Sequence, residues 1–224
     1  MTVPRSIDQI VEDQVRRWQL SRRKEAPEHH RDPVIAISRL SGCCGRALAE
    51  ELARRMGFDF FHKEILIRVA ESSHLSEAII KTVDEKTISA VEEWVQSLFT
   101  ERYLTGDYFH HLCKVLLTIA EHGRAVILGR GASLIIPPKA CLRVLLLAPM
   151  EERVAVVAGR DGLSREEARR RVIQTDSERR AFIRRHFHTD MLDPVHYDLV
   201  LNTAGLGREG TLAVIENAWK AKKK

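Results

Sequence analysis

The chain has 224 residues, 44% of them hydrophobic, and a formal net charge of +5, which suits one ordinary domain with an appendage and argues against global disorder. Its longest apolar runs, around 126–128 and 144–148, are too short to cross a bilayer, and the first residues lack the apolar stretch of a secretory leader. The four cysteines show no metal-binding spacing and adjacent Cys43 and Cys44 are awkward disulfide partners, so a reduced, cytoplasmic protein is expected.

In chain order, residues 6–20 read as an amphipathic helix. Ser6 and Gln9 have capping-box spacing, and Ile7, Ile10, Val11, Val15 and Trp18 share one face. That stripe docks either on the chain's own core or on a second subunit, as a homodimer. A polar stretch with Pro27 and His29-His30 then reads as a linker, so residues 1–32 form an arm and 33–224 the main domain. Residues 34–37 form a buried-strand pattern, followed by a helix over 46–56 that Gly57 ends and a short strand over 58–61. Residues 64–122 are largely helical and close at Gly123; 125–128 and 142–147 are further buried strands. Ser164, with Glu167 at capping-box spacing, opens an Arg-rich helix; 199–201 is a last strand and 211–220 a closing helix. The arginines concentrate between 143 and 185 without interleaved aromatics, so a small anionic substrate ranks above nucleic acid. This alternation predicts an α/β fold with a parallel sheet and helices on both faces. The helical stretch 64–123 is too long for a simple crossover and reads as a substrate-covering insert.

The stretch with most chemistry is Ser38-Arg39-Leu40-Ser41-Gly42-Cys43-Cys44-Gly45-Arg46, an apolar strand running into a small Gly-framed turn and then a helix. Cradling phosphate needs inward backbone N–H groups; Gly42 and Gly45 are expected to supply the turns, and Arg46 opens the helix. The Lys-Ser/Thr pair that ends a usual P-loop is absent. Taken alone, the segment fits a phosphate cradle and a generic strand–turn–helix junction equally well.

Further segments accompany it in order: GFDFFHKEIL, VILGRGA, LRVLLLAPMEERV, TDSERR and YDLVLNT. With VIAISRLSGCCGR they cover nearly the whole main domain, which resembles the cytidylate kinase-like family, a branch of the P-loop nucleoside monophosphate kinases. The resemblance implies a P-loop fold with a helical acceptor-binding insert and an Arg-rich lid over 153–188. It implies phosphoryl transfer from ATP, with Mg²⁺, to CMP or dCMP; absence of the Walker lysine is a family trait. Nucleotide binding is carried over to Ser38, Arg39, Gly42, Cys43, Cys44, Gly45, Arg46 and Asn202, and acceptor binding to Lys63, Arg68 and Arg130. Catalytic roles fall to Arg46, Arg160, Asp176 and Arg179, while Arg153 and Arg180 also lie in the lid-like part. For Arg68 an exposed helix-face arginine is the competing reading, and for Arg130 a loop salt bridge. Most arginines of 165–171 read as solvated or paired to Glu166, Glu167 and Glu178. His186 and His188 lack a third ligand, so no metal site is assigned.

Three positions depart from the family pattern: Cys43-Cys44 stand where Ser-Gly is usual, His62 replaces an Asp, and Gly131 replaces an acid. Cys44 loses the φ freedom of Gly. The departures motivate an alternative, a catalytically weak or inactive nucleotide-binding regulatory protein. In that reading, thiols of lowered pKa at a helix N-terminus make Cys43-Cys44 redox-sensitive.

Overall fold

The computed structural model describes residues 6–22, 32–102 and 107–223. Five parallel strands form one sheet: β1 (Val34–Arg39), β2 (Asp59–Phe61), β3 (Ala125–Leu128), β4 (Cys141–Leu147) and β5 (Leu199–Asn202), in the order β2-β3-β1-β4-β5. Side chains alternate across a strand. Ile35 and Ile37 therefore enter one buried cluster with Val126, Leu128, Leu48, Leu52, Leu212 and Trp219, while Val34 and Ala36 enter another with Ile127, Leu112, Leu116 and Ile119. Both faces of β1, β3 and β4 are covered, so their sequences are near-continuously apolar instead of alternating. Burying each large aliphatic side chain contributes about 1.5–3 kcal/mol.

The first face packs α2 (Gly45–Met56) and α10 (Thr203–Lys222). The second carries α3 (Lys63–Glu71), α4 (Ser73–Ile80), α5 (Glu85–Arg102), α6 (Asp107–His122) and the short α7 (Ala132–Ile135). The remaining pair, α8 (Met150–Asp161) and α9 (Arg165–Phe187), pack on each other through Val154, Val157, Ala168 and Val172. The capping box expected at Ser164 and Glu167 is formed at the start of α9.

The N-terminal helix α1 (Ile7–Arg22) is opened by reciprocal bonds: Ser6 N–H donates to Gln9 Oε1 (2.9 Å) and Gln9 N–H to Ser6 Oγ (3.2 Å). Most of its apolar face packs on its own chain. Val11 and Trp18 are buried, and the Trp18 ring stacks on His122 with centroids 4.1 Å apart. Of the stripe read from sequence, Val11 and Trp18 thus face the chain's own core, while Ile10 is exposed. The linker expected around Pro27 and His29-His30 lies outside the described residues.

The closing helix differs from expectation. It begins at Thr203, capped by Asn202, and breaks at Gly207 (φ 65°, ψ −179°) before the apolar 211–219 stretch. Glycines and polar residues over 203–210 give no helical apolar period, so only the regular half is visible in sequence. Among the described residues no helix is long and apolar enough to cross a membrane.

The sheet order reverses at β1, whose two neighbours are β3 and β4. In open α/β sheets, the crevice at the carboxyl end of such a switch point is where ligands bind. The loops that open there are 40–44, 129–131 and 148–149.

Candidate active site

The turn after β1 is built by close approach. Gly42 has φ 86°, and a Cβ there would sit 2.5 Å from the Arg153 carbonyl oxygen, so the loop lies directly on the start of α8. Cys44 itself takes the left-handed conformation (φ 51°) at the head of α2. The expectation that Gly45 supplies a turn is corrected: Gly45 is the first residue of α2, and its lack of a side chain serves Arg39 instead. A Cβ on Gly45 would meet Arg39 Cγ at 2.8 Å, and one on Gly129 would meet Arg39 Nη1 at 2.4 Å. The Arg39 side chain is threaded between two glycines.

It leads to a cavity of about 310 Å³ lined by Ser38, Arg39, Lys63, Arg130 and Arg179, with Thr175, Glu178, Phe182, Ile183 and Met191 completing the wall. Among the described residues no carboxylate lies within ion-pair distance of Arg39, Lys63, Arg130 or Arg179. Burial, and then neighbouring Arg179, pull Arg39 well below the ordinary guanidinium range; burial also lowers Arg179, against the pull of Asp176. Arg130 has φ 54°, lies over the Phe182 ring at 5.0 Å, and its Nε is buried with no hydrogen-bond partner. Desolvated cations held without counter-charges are unfavourable unless an anion completes the site. The cavity therefore has the charge and donor set for a phosphate group, which planar guanidinium forks bind in bidentate fashion.

Comparison with known proteins identifies the family. Residues 34–205 match the model of the cytidylate kinase-like family. The chain belongs to that family. Membership places this cytidylate kinase-like chain among phosphotransferases of nucleotide-kinase type. Its relatives include the cytidylate kinase of Thermococcus kodakarensis, 26% identical, with 83% of this chain and 86% of the relative covered. Another is the cytidylate kinase of Ignicoccus hospitalis, 27% identical over 82% of this chain and 96% of the relative. A solved structure of an uncharacterized protein from Eubacterium ventriosum superposes with a TM-score of 0.69 at 18% identity, covering 85% of this chain and 99% of that one, and shares the fold.

In this cytidylate kinase-like chain the residues singled out by sequence divide into two groups. Ser38, Arg39, Lys63, Arg130 and Arg179 meet at the cavity. The others stand elsewhere. Arg68 faces α1, where it forms a fork with Asp8 (2.9 and 3.0 Å), and is half exposed. Arg160 forks onto adjacent Asp161 (2.7 and 2.9 Å). Asn202 uses its Oδ1 to accept from the Ala204 and Gly205 amides as the cap of α10. Arg46 is exposed on the first turn of α2, 3.7 Å from Glu64, which also touches His62. Asp176 has both carboxylate oxygens engaged beneath the loop, by the Ser41 N–H (2.7 Å) and Arg153 Nη1 (2.5 Å).

Two departures from the family pattern have structural causes. Gly131 has φ 72°, and a Cβ there would lie 2.5 Å from the Phe187 ring, so this packing leaves no place for an acid. Cys43 is buried in the cluster around α2, and burial pushes its thiol up to about 11 although Arg153 opposes the shift. The expected lowering of thiol pKa at the helix N-terminus is therefore corrected for Cys43; Cys44 is exposed. Apart from Arg179, the cavity wall on α9 was missed in the sequence. Thr175, Glu178, Arg179, Phe182 and Ile183 follow i, i+3, i+4, i+7, i+8, one helix face. Its mix of charged, polar and aromatic residues hid that period.

Proposed function

We propose that this chain transfers the γ-phosphoryl group of MgATP to a nucleoside monophosphate, CMP or dCMP. The observation that carries the reading is the convergence of Arg39, Lys63, Arg130 and Arg179 on one cavity beside the phosphate loop, with no carboxylate at ion-pair distance among the described residues. The cavity suits the acceptor phosphate, and the backbone amides of 42–45 with exposed Arg46 suit the donor phosphates. An acceptor phosphate oxygen attacks the γ-phosphorus in line; the β–γ bridging P–O bond breaks, leaving ADP and a nucleoside diphosphate. The protein contributes position and positive charge where the transferring group spreads its negative charge. Mg²⁺ arrives with ATP as part of the substrate. Among the described residues no group of three or more His, Cys, Asp or Glu could hold a metal ion. The names of the relatives favour the cytosine base.

Steady-state release of ADP, measured with MgATP and CMP, dCMP, UMP, AMP and GMP in turn, tests the proposal. Turnover with CMP or dCMP above the other acceptors is expected. Tight nucleotide binding without turnover on any acceptor would instead establish the regulatory reading, and ATP turnover elicited only by a non-nucleotide metabolite would assign another acceptor.

A further inference from the structure

The phosphate loop is held by a largely buried ion pair, Arg153 with Asp176, that does not line the cavity of Arg39, Arg130 and Arg179. Arg153 of α8 is 5% exposed. Its Nη1 donates to the Ser41 carbonyl (3.1 Å) and to Asp176 Oδ2 (2.5 Å), and its Nε donates to the Ala148 carbonyl (3.0 Å). Asp176 of α9 completes the ring by accepting the Ser41 N–H at 2.7 Å. Both backbone polar groups of Ser41 are therefore taken by side chains from two lid helices, and the following residue, Gly42, rests on the Arg153 backbone. One turn further along α9, Arg179 Nη1 donates to the Arg39 carbonyl (3.0 Å). A loop peptide gripped in this way cannot rotate its neighbouring amides away from a bound phosphate.

We infer that Asp176 is a positioning residue for the donor side of the reaction, fixing the Leu40–Ser41 peptide of the phosphate loop to the lid helix directly and the Ser41–Gly42 peptide through its charge partner Arg153. The inference rests on reading 38–46 as the donor-phosphate loop. It separates two residues three apart on one helix: Arg179 opens onto the acceptor cavity, whereas Asp176 acts through the loop on MgATP. Preorganised amides bind a phosphate without being reordered, so loosening them weakens nucleotide binding and in-line alignment together.

The test is steady-state kinetics in both substrates, with MgATP affinity followed by fluorescence titration, on wild type, Asp176→Ala, Asp176→Asn and the Arg153→Met/Asp176→Leu pair. Asp176→Ala is expected to raise KM for MgATP about 10-fold or more while KM for CMP moves less than about twofold. Asp176→Asn keeps a carbonyl acceptor for the Ser41 amide and recovers part of that loss. The apolar pair removes the buried charges together, so the melting temperature is expected to recover while KM for MgATP does not. Recovery of both would show the pair to be purely structural and overturn the inference, as would equal changes in the two KM values or no change in either. Wild-type protein that binds no MgATP would overturn the donor-loop reading itself, a result distinct from a failure of the variants alone.

Discussion

The arginines of this chain fall into two sets whose surroundings differ more than their sequence contexts do. The inner set, Arg39, Arg130 and Arg179, lines a cavity without an ion-pair partner among the described residues. The outer set on α8 and α9 is exposed and paired: Arg160 with Asp161, Arg169 and Arg165 with Glu151, Arg170 with Glu166, Arg171 with Asp161. Exposed pairs contribute little, because water already solvates both charges and the side chains lose freedom in pairing. A partly buried, desolvated cation with no ion-pair partner is unfavourable in the free protein, and such strain is retained where a ligand relieves it. Charge density alone would have pointed to the outer set, while desolvation points to the inner one.

The sharpest break between the sets is expected at Arg39. Arg39→Met is expected to lower kcat/KM for CMP by about 10³-fold, with a melting temperature unchanged or raised, because a desolvated charge without an ion-pair partner is removed. A variant that loses activity and stability in parallel would place Arg39 in the scaffold instead. Next in size, Gly131→Ala forces a side chain into positive φ against the Phe187 ring and is expected to cost about 1–3 kcal/mol in denaturant unfolding. An unchanged midpoint would mean that Phe187 moves aside freely.

The thiols sharpen the comparison of buried with exposed groups within one loop. Alkylation of the folded protein near pH 8, read by mass spectrometry, is expected to label Cys44 and spare Cys43 until the protein unfolds, because burial raises the Cys43 thiol to about 11. Equal labelling of both would reopen the redox switch. Smallest of all, Arg170→Ala and Arg68→Ala are expected to change kcat/KM by less than about twofold. A hundredfold loss at Arg68 would move it into the inner set and mean that its fork with Asp8 opens during turnover.

Much of the architecture was legible because it is written in short-range pattern. Continuous apolar runs marked β1, β3 and β4, Gly57 marked the end of α2, and Ser164 with Glu167 marked the start of α9. The inner cations at Arg39, Arg130 and Arg179 were also legible, through motifs surrounding them. Less legible was what each residue touches. Asp176 meets Ser41 across 135 positions of chain, Arg68 finds Asp8 across 60, and neither spacing has a local signature.

By itself, then, the amino-acid sequence determined the order of strands and helices, the phosphate-sized turn after the first strand and the family to which the chain belongs. These depend on side-chain period, capping and glycine placement within a few residues. Only the tertiary structure decided that Arg39 passes between Gly45 and Gly129, that Phe187 closes the space beside Gly131, and that Asp176 and Arg153 hold the loop from beneath. Burial and ion pairing are properties of packed surfaces, so they exist only once distant segments have been brought together.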